Sequence, residues 1–182
     1  MNLKSVRFFP HWEENNIYQV IGFLDLVNFI LTIQPKIESW LEIGSHLGES
    51  STLLLGFHQI KKIYCVECSL DACNILEQKF SQEIKTCRYN IINSLSDNSK
   101  GYFSDETFDV VYIDGNHQMD HISQDIKNYY PKIKSGGFLT GHDYNNKWPD
   151  VMSSVNNFLL THHYSIQDLN LFRDGSWLIR KK

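Results

Sequence analysis

The sequence predicts an α/β fold, a doubly wound and mostly parallel sheet covered on both faces, with an antiparallel hairpin strand at the C-terminal end. Three observations predict it. Short apolar runs alternate with stretches of helical periodicity, the connections between them are short, and the last segments face each other across a tight turn.

From Ile17 to Leu31 apolar residues recur at near-helical spacing (Ile17, Val20, Ile21, Leu24, Val27, Leu31), and Pro35 ends that helix. Ser39 to Ile43 is a short apolar run with one charged interruption that stops at Gly44, the pattern of a buried parallel strand. A helix follows from Gly48 to about His58. Ile63 to Val66 reads as the second strand, Leu70 to Phe80 as the next helix, and Arg88 to Ile92 as the third strand. Asp109 to Ile113, entered through Phe108, is the fourth, followed by a helical stretch from about His121 to Tyr130 that Pro131 closes. Gly136 and Gly137 form a turn before a fifth strand from Phe138 to Thr140. After an apolar helix near Val151 to Leu160, His163 to Leu169 and Trp177 to Arg180 face each other across Phe172, Arg173, Asp174 and Gly175.

At 182 residues the chain fits one domain, with residues 1–36 as an N-terminal helical, substrate-side segment and 37–182 as the core. Hydrophobic residues at 42% and charged residues at 21% exclude disorder and fibrous repeats. The net charge of −4, with scattered Lys and Arg, leaves no footprint for a polyanion, so nucleic acid is not an expected partner. No run approaches the roughly 18 apolar residues a membrane helix needs, and Met1 to Pro10 lacks a signal core, so a cytoplasmic protein without a membrane partner is expected. Cys65 and Cys68 form a Cys-x-x-Cys without a second pair nearby; Cys65 falls in a strand pattern, as a small buried hydrophobe, and no disulfide is expected.

The most informative segment is Trp40-Leu-Glu-Ile-Gly-Ser-His-Leu-Gly-Glu-Ser, in which Gly44 and Gly48 bracket the turn from first strand to helix. Glycine there lets backbone approach a ligand, and the helix start behind it offers free N–H groups. A dinucleotide site would read Gly-x-Gly-x-x-Gly to seat a pyrophosphate. Here the pattern is Glu42-x-Gly44-x-x-x-Gly48, and an acid at that place suits a ligand carrying an amino group while repelling a pyrophosphate. That points to S-adenosylmethionine rather than NAD. Glu67, ending the second strand, stands where a carboxylate would accept bonds from ribose hydroxyls.

With these residues the chain resembles the class I S-adenosylmethionine-dependent methyltransferases, whose first motif is the acidic-x-Gly-x-x-x-Gly loop and whose Rossmann-like sheet ends in a reversed hairpin. The resemblance runs from about Ser39 to the C-terminus. It implies that Gly44, Ser45 and their neighbours His46, Gly48 and Ser50 hold the methionine part, with Glu42 beside its amino group. It implies further that Glu67, with Cys68 beside it, holds the ribose, and that Asn93 and Ser94 line the adenine end.

A second constellation lies in Phe108-Asp-Val-Val-Tyr-Ile-Asp-Gly-Asn-His-Gln and in Gly141-His142-Asp143-Tyr144. The C-terminal ends of adjacent parallel strands share one edge, which brings Asp114, His142 and Asp143 together where ligands bind. Carboxylates plus an imidazole suit a divalent ion such as Mg²⁺ or Mn²⁺. This pairing is similar to the metal-dependent O-methyltransferases, among them catechol and sugar O-methyltransferases. The likeness implies that the ion, held by Asp114, His142 and Asp143, binds the acceptor hydroxyls, with Asp114 also near the cofactor and His117 as general base. The chain departs from the family in offering His142 where a second carboxylate or an amide is usual. In a metal-free site His117 and Asp143 would form an ordinary acid and base pair.

The expected activity is therefore O-methylation of a small hydroxylated acceptor such as a sugar, from S-adenosylmethionine. The alternatives are an NAD(P)-dependent oxidoreductase, disfavoured by the missing Gly-x-Gly-x-x-Gly, and a cofactor-binding module without turnover, which substitution of His117 or Asp143 would leave unaffected. A homodimer is left open. His162 and His163 read as surface or hairpin residues, and His11 and Trp12 as part of a substrate lid.

Overall fold

The structure, a computed structural model, describes residues 16–182; His11 and Trp12 lie outside them. Its seven strands are β1 (Ile37–Ile43), β2 (Ile60–Glu67), β3 (Tyr89–Asn93), β4 (Phe108–Ile113), β5 (Ile133–Gly141), β6 (Leu169–Leu171) and β7 (Trp177–Arg180), in the sheet order β3-β2-β1-β4-β5-β7-β6. The first five are mutually parallel, whereas β7 runs antiparallel to β5 and β6 antiparallel to β7. All six residues of β4 are buried, the apolar ones by covering of both faces and Asp109 by its hydrogen-bond partners.

Helices cover both faces. On one, α1 (Asn16–Ile33) sets Val20, Phe23, Leu26, Val27 and Ile30 against Trp40 and Tyr112, beside α2 (Glu49–Leu54) and α3 (Leu70–Lys79). On the other, α6 (Met119–Tyr129) and α7 (Pro149–Thr161) contribute Ile122, Ile126, Val155 and Phe158 to a second core. Chain order reverses beside β1: the chain runs outward from β1 to β2 and β3, then crosses back to β4. The C-terminal ends of β1 and β4 therefore open a crevice, the usual ligand position in such sheets. None of the described helices is long and apolar enough to cross a membrane.

Several boundaries differ from expectation. The helix after Gly48 stops at Leu54, not His58, where turns at Gly56 and Phe57 lead into β2. Gly136 and Gly137 lie within β5, where pairing with β4 slips between Phe108 and Val110. A Cβ on Gly137 would come 2.7 Å from the Asp109 carbonyl, so the glycine admits close strand approach rather than a turn. Two short helices without apolar periodicity, α4 (Ser81–Lys85) and α5 (Ser96–Ser99), were not foreseen. His163 to Asp168 is not strand: Ser165 and Asp168 form a capping box around a turn of 3₁₀ helix, and only Leu169 to Leu171 pair. The hairpin thus adds two antiparallel strands, β7 inside and β6 at the edge. Ile17, expected on the buried face, is exposed. The four cysteines are free, Cys65 and Cys73 buried, Cys68 and Cys87 exposed.

At the edge away from the crevice, Asp109 clasps the start of β1. Its carboxylate accepts the backbone N–H groups of Glu38 (2.7 Å) and Ser39 (2.9 Å), the Lys134 ammonium (2.8 Å) and the Gln34 amide (3.2 Å). Burial alone would raise this carboxyl, but Lys134 and the two N–H groups outweigh it and hold it below the usual range. Its contribution is complete above about pH 4 and lost as pH falls through the lowered native value. Asp109→Ala is expected to cost about 2–3 kcal/mol in urea unfolding at pH 7, with a smaller difference from the native protein in acid.

Candidate active site

The loop from β1 to α2 is folded around two glycines with positive φ, Gly44 at 82° and Gly48 at 74°. A Cβ on Gly44 would lie 2.4 Å from the Asp114 carbonyl oxygen, so only glycine lets this loop touch the end of β4. Gly48 instead packs under α3, where a Cβ would meet Leu76 and Phe80; it spaces the helices and does not line the cavity.

Glu42, expected beside the cofactor amine, is fully buried. It accepts hydrogen bonds from the hydroxyls of Ser45, Ser50 and Ser51, and Ser51 lies 3.0 Å from the Tyr89 hydroxyl. Burial pushes its carboxyl up, against the pull of the three serines. Its place is underneath the loop, organising it, because serine donors surround it on the side where a ligand was expected. Glu67 ends β2 with its carboxylate accepting the N–H of His46 (2.9 Å) and of Ser69 (2.8 Å), which ties the first loop to the second strand.

A cavity of about 940 Å³ opens between these strand ends, within the size range of small-molecule sites. Of the residues expected at the cofactor, Gly44, Ser45, His46, Ser50, Glu67, Cys68, Ser94 and Asp114 line it. Asn93 does not: its amide donates to the Glu67 and Cys68 carbonyls (3.0 and 3.3 Å), closing the end of β3. Gln19, Glu49, His121, Asp125 and Trp148 also line the cavity and went unseen in the sequence: Glu49 follows Gly48 but was not singled out, and the other four belong to no glycine motif or strand end. The Asp125 carboxyl, pushed by burial up to about 6, belongs to the same wall.

At the other end of the cavity Asp114, His117 and Asp143 converge, with one donor atom of each within 4.8 Å of the others. His117 Nε2 lies 2.7 Å from Asp143 Oδ2 and 3.7 Å from Asp114 Oδ1. It is nonetheless a buried nitrogen with no aligned hydrogen bond. The ring stacks on Trp148, centroids 4.4 Å apart, which fixes its plane. Contacts with Asp114 and Asp143 push the imidazole up to about 9 against burial. Asp143 has φ 62°, a backbone state that Asp and Asn tolerate better than most residues. Burial would raise its carboxyl, but His117 and His142 overcome this and hold it well below the usual range.

The triad expected from sequence had His142 in place of His117. His142 lines the same cavity beside them: Nδ1 is 3.3 Å from Asp143 Oδ2 and 3.9 Å from Asp114 Oδ1, while Nε2 faces the buried Asp174 at 3.8 Å. Burial alone would lower it, but these three carboxylates raise it to about 9. Beyond the cluster a smaller hollow, about 340 Å³, is lined by Asn116, His117, Gln118, Trp148, Pro149 and Asp150. His162 is remote from all of this, stacked on Phe158 at 4.1 Å.

A reversed hairpin on a parallel sheet, a glycine loop after β1, a carboxylate ending β2 and an acidic cluster after β4 and β5 are the features of the class I methyltransferase fold. Residues 41–144 match the family model described as a methyltransferase domain, and the chain belongs to that family. A protein of Acanthamoeba polyphaga mimivirus, itself uncharacterized, is 28% identical over 149 residues, 75% of this chain and 66% of that relative, so the chain spans just under two thirds of its length. A Staphylococcus aureus protein assigned as a caffeoyl-CoA O-methyltransferase superposes with a TM-score of 0.69 at 16% identity, over 98% of this chain and 92% of the other. A Streptococcus mutans protein assigned as a methyltransferase, in complex with S-adenosylhomocysteine, gives 0.65 at 15% identity, over 87% and 97%. At such identities these two show the shared fold. The nicotinamide alternative is overturned by the family match.

Proposed function

We propose that the protein methylates a hydroxyl oxygen of a small acceptor such as a sugar, with S-adenosylmethionine in the larger cavity and a divalent ion, Mg²⁺ or Mn²⁺, at Asp114, His117 and Asp143. The observation that carries this reading is the convergence of one donor atom from each of those three residues, all within 4.8 Å of one another, beside the cavity. Two carboxylate oxygens and one imidazole nitrogen are a donor set that fits either ion. Bound there, the ion would lower the pKa of an acceptor hydroxyl and orient its oxygen toward the methyl carbon.

The chain's own residues do the rest. Glu67 has lone pairs left for ribose hydroxyls after accepting two N–H groups. Trp148 holds the His117 plane, and Asn116, Gln118 and Asp150 give the smaller hollow amides and a carboxylate suited to a hydroxyl-rich acceptor. Asp114 and Asp143 push the His117 imidazole up, so the paired carboxylates favour positive charge at that nitrogen, supplied by a proton or, in its place, by a metal ion.

Calorimetric titration tests the reading. Micromolar binding of S-adenosylmethionine and S-adenosylhomocysteine and none of NADH is expected, with activity on polyhydroxylated acceptors that a chelator removes and Mg²⁺ or Mn²⁺ restores. Activity that survives chelation and rises toward pH 9 would replace the ion with the His117 and Asp143 pair.

A further inference from the structure

Glu49, the first residue of α2, is 3% exposed and lines the larger cavity together with Gln19, Ser45 and Ser50. Its Oε1 is buried without a hydrogen-bond partner, and the side chain has no ion pair among the described residues. Lys79, whose charge acts on Glu49, turns its ammonium to the Leu47 and Gly48 carbonyls at 2.8 and 3.2 Å. A carboxylate taken from water and left without a partner is costly, and in native proteins such a group calls for a specific cause. The other acids near the loop are already engaged: Glu42 by three serine hydroxyls, Glu67 by two backbone N–H groups.

We infer that Glu49 is the acceptor for a primary ammonium group of the bound ligand, the α-ammonium of the methionine moiety, and that it sets the cavity's preference for aminoacyl-bearing nucleosides over the bare nucleoside. The inference rests on the cofactor reading above. It replaces the expectation that Glu42 does this, since the acid of the glycine motif lies beneath the loop while Glu49, seven residues on, faces the cavity. A charge-assisted bond from the ammonium satisfies the carboxylate only when ligand is present. The ligand-free protein therefore carries the unsatisfied group as a feature of function rather than of stability.

The test compares native protein and Glu49→Gln by calorimetry with S-adenosylhomocysteine, S-adenosylmethionine and 5′-methylthioadenosine, which keeps the nucleoside and thioether but lacks the amino acid. Thermal unfolding of both ligand-free proteins is measured alongside. The expected result is a tenfold or greater loss of affinity for the first two ligands and a change within twofold for methylthioadenosine, with the ligand-free variant unfolding at or above the native temperature. Unchanged affinity for S-adenosylhomocysteine overturns the inference. So does an equal loss for methylthioadenosine or a fall in unfolding temperature, which makes Glu49 structural, and so does a loss confined to S-adenosylmethionine, which assigns Glu49 to the sulfonium. Failure of the cofactor reading looks different, because native protein would then bind none of the three.

Discussion

Asp143→Asn is expected to reduce turnover by roughly 10³-fold, the scale set by removing a metal or acid–base group, while affinity for S-adenosylhomocysteine stays within about twofold of native. Asparagine is the informative replacement. At φ 62° most side chains add backbone strain, and asparagine tolerates this region, so the change isolates the lost charge. The charge matters because Asp143 is the shared neighbour of two imidazoles, His117 Nε2 at 2.7 Å and His142 Nδ1 at 3.3 Å. Removing it leaves Asp114 as the one carboxylate of the cluster. Mn²⁺ binding, followed by electron paramagnetic resonance, should weaken in parallel with turnover. A variant that keeps full activity would sink the assignment of this cluster, and one that loses cofactor affinity in proportion would place Asp143 in the cofactor pocket instead.

The legible part of this fold was the part governed by burial on both sides of a strand. β1 and β4 read as apolar runs because both their faces are covered, and the rule that ligands gather at parallel strand ends then located Asp114, Glu67 and Asp143 without any knowledge of distance. Where side chains turn after leaving a strand was not legible. Glu42 and Glu49 are both acids flanking the same glycine loop, and which of them faces the cavity depends on three serine hydroxyls that fold back onto Glu42. The same limit separates His117 from His142. Both follow a strand end closely, yet stacking on Trp148, thirty-one positions further along, brings His117 to the cluster while Asp174 faces His142 from the hairpin. Gly136 and Gly137 misled for a related reason: glycine marks close approach as readily as a turn, and the approaching Asp109 carbonyl belongs to another strand.

The second large effect is on stability, at Gly44. Gly44→Ala is expected to destabilise the protein by about 2–5 kcal/mol, combining roughly 1–2 for a left-handed backbone state with about 1–3 for overpacking. The contacts are what make this severe. The new Cβ would meet the Asp114 carbonyl oxygen at 2.4 Å and the Gly115 Cα at 2.9 Å, all backbone atoms with no rotamer to move out of the way. Neither can the loop swing clear, since Gly44 N–H is bonded to the Val66 carbonyl at 2.9 Å and Asp114 N–H to the Ile43 carbonyl at 2.8 Å, so three strand ends are tied at one point. Gly101→Ala, with nothing within 4 Å of its Cβ, is the control and should change urea unfolding by less than about 0.5 kcal/mol. Gly48→Ala should fall between the two, because its Cβ would meet the side-chain ends of Leu76 and Phe80, which can shift. If Gly44→Ala instead unfolds like the Gly101 control, the contact between the β1 loop and the end of β4 is soft, and Asp114 is not held in register with the glycine loop by the backbone. Loss of stability together with a drop in cofactor affinity is what a shared, rigid hinge of cofactor loop and acidic cluster requires.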